Sequence, residues 1–150
     1  MELVEEFTFS ARLGAPEPIG PGPFGNRRIR PVAGGEVTGE RIRGAVTPGG
    51  ADWVLVGADG WGRLDVRLTI RTDDGAFLYV QYFGVIEYND AALAANAGER
   101  TAEYGEFYFR TAPRIETGDD RYDWVNRCVF VGEGRLHPGP VVEYRVYRVT

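Results

Sequence analysis

Strict alternation of apolar and polar residues is the feature that most constrains how this chain can fold. It is cleanest in residues 63–71, where the two classes exchange places at every step. Successive side chains of a β-strand point to opposite faces, so this pattern predicts a strand with one apolar and one polar face. The segment ends at residues 72–75, Thr-Asp-Asp-Gly, whose Asp-Gly pair favours a tight hairpin turn. An aromatic strand at residues 76–88 should therefore pair antiparallel with the first.

The remaining elements follow from similar patterns separated by Gly or Pro clusters. Further strands are predicted at residues 2–12, 27–32, 36–46, 53–56, 103–111, 124–132 and 141–149. The alanine-rich residues 90–97 are the one predicted helix, capped by Asn89 or Asp90 and ended near Gly98. Residues 14–26, with four prolines, are interpreted as a single rigid loop at the rim.

One short helix among eight or nine strands is typical of an all-β barrel or sandwich. Several of the predicted strands are long and rich in Val, Tyr and Phe, and such edges promote aggregation when they stay unpaired. This favours a single antiparallel β-barrel, closed or nearly closed, over two open sheets. A length of 150 residues fits one domain with one core, spanning residues 1–150.

Composition restricts the partners and the compartment. The net charge of −5 argues against nucleic acid, because phosphate binding depends on clustered basic residues. No apolar run approaches the roughly 20 residues of a membrane helix, and the amino terminus lacks the pattern of a signal peptide. A lone cysteine, Cys128, cannot form an internal disulfide. A cytoplasmic protein that binds neither nucleic acid nor membranes is therefore expected.

Several kinds of chemistry are disfavoured. All 17 basic residues are arginine, which excludes a lysine Schiff base. The single histidine, His137, lies in a predicted turn and is too isolated for a Ser-His-Asp triad or a multi-histidine metal site. The carboxylates at residues 73–74 and 119–120 lack the spacing of a calcium loop, and no glycine pair precedes a helix as in a phosphate-binding loop. We therefore expect no metal and no cofactor.

Polar side chains within aromatic strand segments form the candidate site. Residues two apart on a strand share a face, so Tyr108 pairs with Arg110 and Trp124 with Asn126. A barrel interior carrying phenols, a guanidinium and an amide beside tryptophans is typical of a small-molecule pocket. The alternative is that these side chains face solvent or form structural ion pairs, because periodicity alone does not say which face is inside.

Ordered motifs along the chain resemble those of a family of small bacterial and fungal proteins, domain of unknown function 3237. The motifs are Gly-Gly-Ala-Asp-Trp at 49–53, Asp-Asp-Gly-Ala at 73–76, Tyr-Phe-Arg at 108–110 and Tyr-Asp-Trp-Val-Asn-Arg at 122–127. The resemblance implies a compact β-barrel, usually cytoplasmic and often a homo-oligomer, with no settled activity. Its recurring polar and aromatic positions are Asp52, Trp53, Asp73, Arg110, Glu116, Trp124, Asn126 and Arg127.

Three functions remain open. The first is a cofactor-independent enzyme that isomerises, cyclises, dehydrates or hydrolyses a small, largely apolar metabolite by proton transfer in the barrel. It assigns catalysis to Arg110, Tyr108, Glu116 and Asp52. It assigns substrate binding to Trp53, Tyr79, Gln81, Trp124, Asn126, Arg127 and Asp73. The second is a non-catalytic barrel that binds a small molecule, and the third is a self-associating structural protein. A carboxylate with a perturbed pKa at the pocket would favour the enzyme over the carrier.

Overall fold

Ten β-strands, one α-helix and one 3₁₀ helix make up the structure, a computed structural model that describes residues 1–150. The strands are β1 (Leu3–Leu13), β2 (Glu17–Gly22), β3 (Gly25–Gly39), β4 (Gly44–Val46), β5 (Ala51–Val56), β6 (Trp61–Thr72), β7 (Phe77–Glu87), β8 (Phe109–Glu116), β9 (Val129–His137) and β10 (Val141–Val149). The helices are α1 (Asp90–Asn96) and the 3₁₀ helix Asp120–Arg127. Neither is long and apolar enough to cross a membrane.

The sheet closes on itself because β1 pairs antiparallel with β10 on one side and with β3 on the other. Strands β10, β9, β8, β7 and β6 follow in order around the wall, each antiparallel to the next. Strands β4 and β5 occupy successive stretches between β3 and β6, and β2 pairs only with β3. The antiparallel β-barrel expected from the sequence is confirmed as a closed ring of eight strands with two extra.

The predicted alternation decides which side chains fill the barrel. In β6 the even-numbered residues are buried and the odd-numbered residues face outward, as residues 63–71 indicated. The hairpin at residues 72–75 is also confirmed, and Gly75 has the positive φ of 92° that its turn requires. Burying each large apolar side chain of this interior contributes roughly 1.5–3 kcal/mol.

The two ends of the lumen differ. At the packed end, side chains no more than 1% exposed fill the barrel beneath the 3₁₀ helix, namely Ile42, Ile70, Leu78, Val125, Phe130 and Val146. At the open end, near α1, polar side chains reach the lumen and leave a cavity. The barrel is therefore filled by apolar side chains at one end and contains a cavity at the other.

The predicted helix at residues 90–97 is confirmed, and Asn89 is its cap. The Asn89 side chain accepts a hydrogen bond from the backbone N–H of Ala92 at 3.1 Å, which satisfies a donor of the first turn. The prediction of a single helix was wrong, because residues 124–127 belong to the 3₁₀ helix. Asp119 caps that helix, and Tyr122 and Val125, three residues apart, bury on one side of it.

Several strand boundaries also differ from the prediction. Strand β9 runs from Val129 to His137, not over residues 124–132, so His137 lies in a strand and not in the predicted turn. Residues 27–32 and 36–46 were predicted as two strands, but β3 runs unbroken from Gly25 to Gly39. Strand β8 begins only at Phe109, so most of residues 103–111 lie outside it. Residues 14–26 are not a plain loop, because β2 lies within them. Its prolines are tolerated because β2 is an edge strand paired on one side only.

Candidate functional site

A cavity of about 70 Å³ lies inside the open end of the barrel. Of its 18 lining residues 14 are hydrophobic, and the four polar ones are Arg28, Arg30, Asp52 and Asn96. Arg28 and Asn96 are exposed and mark the mouth, whereas Asp52 is only 7% exposed and lies deep. The cavity is thus an apolar chamber that contains one buried carboxyl group.

Asp52 reaches the lumen because of its position on β5. It lies between Arg30 of β3 and Val66 of β6 in the strand register. Its Oδ1 accepts a hydrogen bond from the Asp65 backbone N–H at 3.2 Å, and it forms no ion pair. Burial is the main reason that the pKa of Asp52 rises from 3.8 to about 7. The Asp65 N–H, Arg30 and Arg27 each pull this pKa downward without cancelling the effect of burial.

Two arginines of β3 accompany this carboxyl group. Arg28 and Arg30 lie two apart, opposite Val54 and Asp52 in the register, and both line the cavity. Neither has a salt bridge or a side-chain hydrogen bond, and the Nε of Arg30 is buried without a partner. Burial lowers the pKa of the Arg30 guanidinium. A positive group without a counter-ion thus lies next to the buried carboxyl group.

Three tyrosines complete the polar lining. Tyr82 and Tyr144 meet edge-on with ring centroids 5.4 Å apart, and Phe9 stacks on Tyr144 at 4.9 Å. Tyr88 lies close enough to Asp52 for the two groups to interact. Burial raises the pKa of all three phenols above their ordinary value near 10, and the charge of Asp52 adds to this effect. The phenols are therefore protonated at neutral pH and can donate hydrogen bonds.

These groups support a definite chemistry. A carboxyl group that titrates near neutrality can accept or donate a proton, and neutral phenols can donate to an oxygen that becomes negative. The apolar walls strengthen both effects because water is largely excluded. No group of three or more His, Cys, Asp or Glu side chains is placed to hold a metal ion.

Of the predicted site residues, Asp52 alone lines the cavity. Tyr79 and Gln81 lie on the outward face of β7, because the even-numbered residues of that strand point inward. Tyr108 and Arg110 share a face as expected, with the guanidinium carbon 5.3 Å from the ring centroid. That face is the outer wall, where Arg110 pairs with Glu133 at 3.2 Å. Their expected place in the lumen was wrong, and the alternative of solvent-facing ion pairs holds here.

Glu116 and Asp73 also lie outside the barrel. Glu116 is exposed at the end of β8 and lies 3.9 Å from the Arg114 guanidinium. Asp73 is exposed in the hairpin turn, where its backbone N–H donates to the Arg43 carbonyl. Trp53 points outward from β5, with the Arg67 guanidinium carbon 5.2 Å from its ring centroid.

The Trp124, Asn126 and Arg127 motif belongs to the 3₁₀ helix at the packed end, so the expectation of a shared strand face was wrong. The Arg41 guanidinium carbon lies 3.6 Å above the ring of Trp124. The Asn126 amide bonds both the N–H and the carbonyl of Thr117, at 2.9 and 3.0 Å. Arg127 pairs with Asp123. The Arg41 and Thr117 contacts hold the helix against the barrel, whereas the Arg127–Asp123 pair lies within the helix.

Arg28, Arg30, Tyr82, Tyr88 and Tyr144 are the cavity residues that the sequence argument missed. A signal existed for two of the tyrosines, because Tyr82 and Tyr144 stand at apolar positions of alternating strands. No such signal existed for the arginines. A strand with charged residues two apart predicts a solvent-facing side, and only the register reveals that Arg28 and Arg30 face inward.

Comparison with known proteins places the chain in a family. Residues 1–149 match the family model described as "Protein of unknown function (DUF3237)". The chain belongs to the DUF3237 family. The resemblance of the sequence motifs is therefore confirmed, and it extends over almost the whole chain.

Relatives share both sequence and fold with this DUF3237 protein. A UPF0311 protein of Rhodopseudomonas palustris is 39% identical over 148 residues, which are 95% of this chain and 93% of the relative. A crystal structure of a conserved protein of unknown function from R. palustris matches with a TM-score of 0.89 and 36% identity, covering 99% of this chain and 97% of the other. PR-toxin biosynthesis cluster protein 7 of Penicillium roqueforti is 28% identical over 101 residues, 65% of this chain and 54% of that protein.

Proposed function

We propose that this DUF3237 protein is a cofactor-independent enzyme that moves a proton on a small, largely apolar molecule held in the open end of the barrel. The observation that carries the proposal is Asp52, a buried carboxyl group that faces a cavity, forms no ion pair and has a pKa of about 7. General acids and bases work best when their pKa lies near the operating pH. A carrier has no need of such a group.

Asp52 is the proton acceptor in this scheme. It takes a proton from a carbon next to a carbonyl or from a hydroxyl group, and it returns that proton elsewhere on the substrate. The phenols of Tyr82 and Tyr144 donate hydrogen bonds to the oxygen that becomes negative. Isomerisation, cyclisation, dehydration and hydrolysis all proceed through such steps.

The size of the cavity limits the substrate. A volume of 70 Å³ is roughly half that of an apolar protein cavity of about 150 Å³ that binds benzene, so it holds only a few non-hydrogen atoms. The reacting part of the substrate fits the chamber, and any remainder extends through the mouth at Arg28 and Asn96. The P. roqueforti relative is named for a toxin biosynthesis cluster, which supports a role in small-molecule metabolism.

A non-catalytic carrier is the second candidate. The 14 hydrophobic residues among the 18 that line the cavity favour it, because apolar chambers bind apolar molecules without further help. A carrier role explains the apolar lining of the cavity, but it does not explain why Asp52 is buried there without an ion pair. Self-association, which the family resemblance implies, stays a prediction, as does a cytoplasmic location.

A deuterium-exchange experiment distinguishes the enzyme hypothesis from the carrier hypothesis. We expect the protein in D₂O to exchange the protons next to the carbonyl of butanone or 2-oxobutanoate faster than buffer alone, as followed by ¹H NMR. Asp52→Asn should slow this exchange by about 100-fold or more, the usual contribution of a general base. The exposed Asp120→Asn at the packed end is the matched control and should keep the rate.

The pH profile adds a second criterion. Because the base must be ionised, the rate with the uncharged butanone should rise with pH and level off above about 7. Exchange no faster than in buffer, or equal rates for Asp52→Asn and the unmodified protein, would overturn the proposal. Binding of the ketones without exchange would support the carrier.

A further inference from the structure

The arginines at the open end differ from most others in the chain. Arg41, Arg121 and Arg148, for example, are each paired with carboxylates. Arg30 is partly buried and has no such partner, and its Nε is cut off from solvent without a hydrogen bond. The Arg30 side chain lines the cavity, and no hydrogen bond occupies its terminal N–H groups. A ligand cannot reach an atom that is cut off from solvent, so an acceptor in the cavity would bind these terminal N–H groups and not the Nε.

The N–H donors of the Arg30 guanidinium group indicate what kind of acceptor the ligand would supply. Guanidinium groups bind carboxylates through two parallel hydrogen bonds, and they do so best where water is excluded. Arg28 lies two residues along the same face of β3, toward the mouth, and adds a second positive charge without a counter-ion. Against these two charges the chamber offers one carboxyl group, Asp52. The unliganded cavity thus favours a negatively charged occupant.

We propose that the cavity recognises its ligand through a carboxylate group held by Arg30 and attracted by Arg28, with Asp52 taking up a proton as the ligand enters. This inference rests on the proposed function and narrows it, since it makes the substrate a small carboxylic acid. Asp52 must lose the added proton again before it acts as the base, so the rate with a carboxylate substrate should level off at a higher pH than the rate with butanone. The reacting carbon then lies beside Asp52, because Arg30 and Asp52 are direct neighbours across the β3–β5 ladder.

The proton uptake follows from the groups that face Asp52. Besides Arg30 and Arg27, the charged and titratable ones are Asp65 from β6, Tyr82 from β7, Tyr88 just after β7, and Tyr144 from β10. Burial keeps these three phenols protonated near pH 7, and the arginines keep their charge. A second negative charge in the chamber disfavours the ionised form of Asp52 and raises its pKa further. Affinity for a carboxylate should therefore increase as the pH falls from 8 to 6.

The test is a pair of NMR titrations with propionate and its neutral isostere propionamide. The backbone amide of Asp65, which donates to Asp52, is the reporter at the site. We expect propionate to bind about tenfold more tightly than propionamide at pH 6, which is 1.4 kcal/mol. Its affinity should drop several-fold between pH 6 and pH 8, and Asp52→Asn should remove that pH dependence.

Two arginine variants test whether Arg30 causes the preference for propionate over propionamide. Arg30→Gln should weaken propionate binding about tenfold or more while leaving propionamide unaffected. Arg71→Gln is the matched control, because Arg71 is exposed on the outward face of β6 and has no salt bridge. The comparison of the two ligands on the unmodified protein does not depend on the folding of any variant.

Equal affinities for propionate and propionamide would overturn the inference, and so would propionate binding that Arg30→Gln leaves unchanged. Failure of propionate to shift the Asp65 amide at concentrations up to about 100 mM would overturn it too. The proposed function and the carboxylate inference can fail independently of each other. If butanone protons exchange in a way that depends on Asp52 but propionate does not bind, the proposed proton transfer is retained and carboxylate recognition is rejected.

Discussion

Two carboxyl groups at opposite ends of the barrel expose almost equally little surface, yet their pKa values shift in opposite directions. Glu6, near the packed end, is 8% exposed and accepts hydrogen bonds from the Nε and NH2 atoms of Arg41 at 3.0 and 2.6 Å and from the Nε of Arg148 at 2.7 Å. Asp52, at the open end, is 7% exposed and accepts one backbone N–H at 3.2 Å. Burial raises the pKa of Glu6, but the two guanidiniums outweigh it and the net shift is downward. The pKa of Asp52 rises to about 7.

Both the depth of burial and the partners differ: Asp52 lies deeper in the barrel than Glu6, and only Glu6 has guanidinium partners that offset the effect of burial on its pKa. Glu6 connects β1 to the β3–β4 loop and to β10, so it helps to close the barrel. Asp52 connects nothing except the neighbouring strand, and its ionised form destabilises the fold. A group that lowers stability and faces a cavity is the pattern expected of a functional site.

The largest effect is expected at the packed end. Phe130 is 1% exposed and lies against Trp124 of the 3₁₀ helix, with ring centroids 6.1 Å apart. Phe130→Ala should lower the free energy of unfolding by about 3–5 kcal/mol, because it leaves a cavity in close-packed surroundings. Urea denaturation measures this loss. A loss below about 1 kcal/mol would show that this end is not the packed one.

Asp52→Asn should have the opposite sign. Asp52 titrates near 3.9 in the unfolded chain and near 7 in the fold, so between these values the folded protein retains a proton that the unfolded chain has lost. The unfolding free energy of the unmodified protein therefore falls as the pH rises from about 4 to 7. At pH 8 the variant should be more stable by about 2–4 kcal/mol, and at pH 4 by little.

Denaturation at several pH values, with Asp120→Asn as the control, checks that prediction. If Asp52→Asn and the unmodified protein are equally stable at pH 8, then ionised Asp52 does not destabilise the fold and does not differ from Glu6 in this respect.

Glu6→Gln should destabilise the protein at neutral pH by about 1–3 kcal/mol, because it leaves guanidinium groups without their carboxylate. The pKa of Glu6 is lowered in the fold, so its stabilising effect is present above about pH 4.3 and is lost as the pH falls below that value. The two carboxyl variants should thus differ in the sign of their effect at pH 8 and in the direction of their pH dependence. Parallel pH–stability curves for the two variants would contradict this.

Arg110→Gln should have the smallest effect. Arg110 is 43% exposed and pairs with Glu133 on the outer wall, where such a pair contributes about 0–1 kcal/mol. The free energy of unfolding should change by about 0.5 kcal/mol or less, and ligand binding in the cavity should be unaffected. A loss of propionate binding in this variant would return the outer wall to consideration as the site.

Sequence patterns predicted the wall of the barrel well because a period of two is a local property. Residues 63–71 and the turn at 72–75 have the predicted structure, and α1 begins at the predicted cap. The 3₁₀ helix was missed because the aromatic and polar residues 122–127 fit a strand equally well when their neighbours in space are unknown.

The site was harder to predict, since it depends on which face of each strand points inward. Asp52 was among the candidates, but Tyr108 and Arg110, which were predicted to share a pocket face, share the outer face. Arg30 and Tyr144 meet Asp52 only through the closure of β3, β5 and β10 around one lumen. That closure joins residues far apart in the chain, and no local pattern encodes it.

The ionisation of Asp52 in the folded protein is the most direct test of the account. A pH titration of the side-chain carboxyl carbon by ¹³C NMR, assigned by comparison with Asp52→Asn, would measure it, with the Asp65 amide as a second reporter. The account predicts a midpoint near pH 7. A midpoint near 4, the value of an ordinary aspartate, would contradict it and leave Asp52 a structural residue.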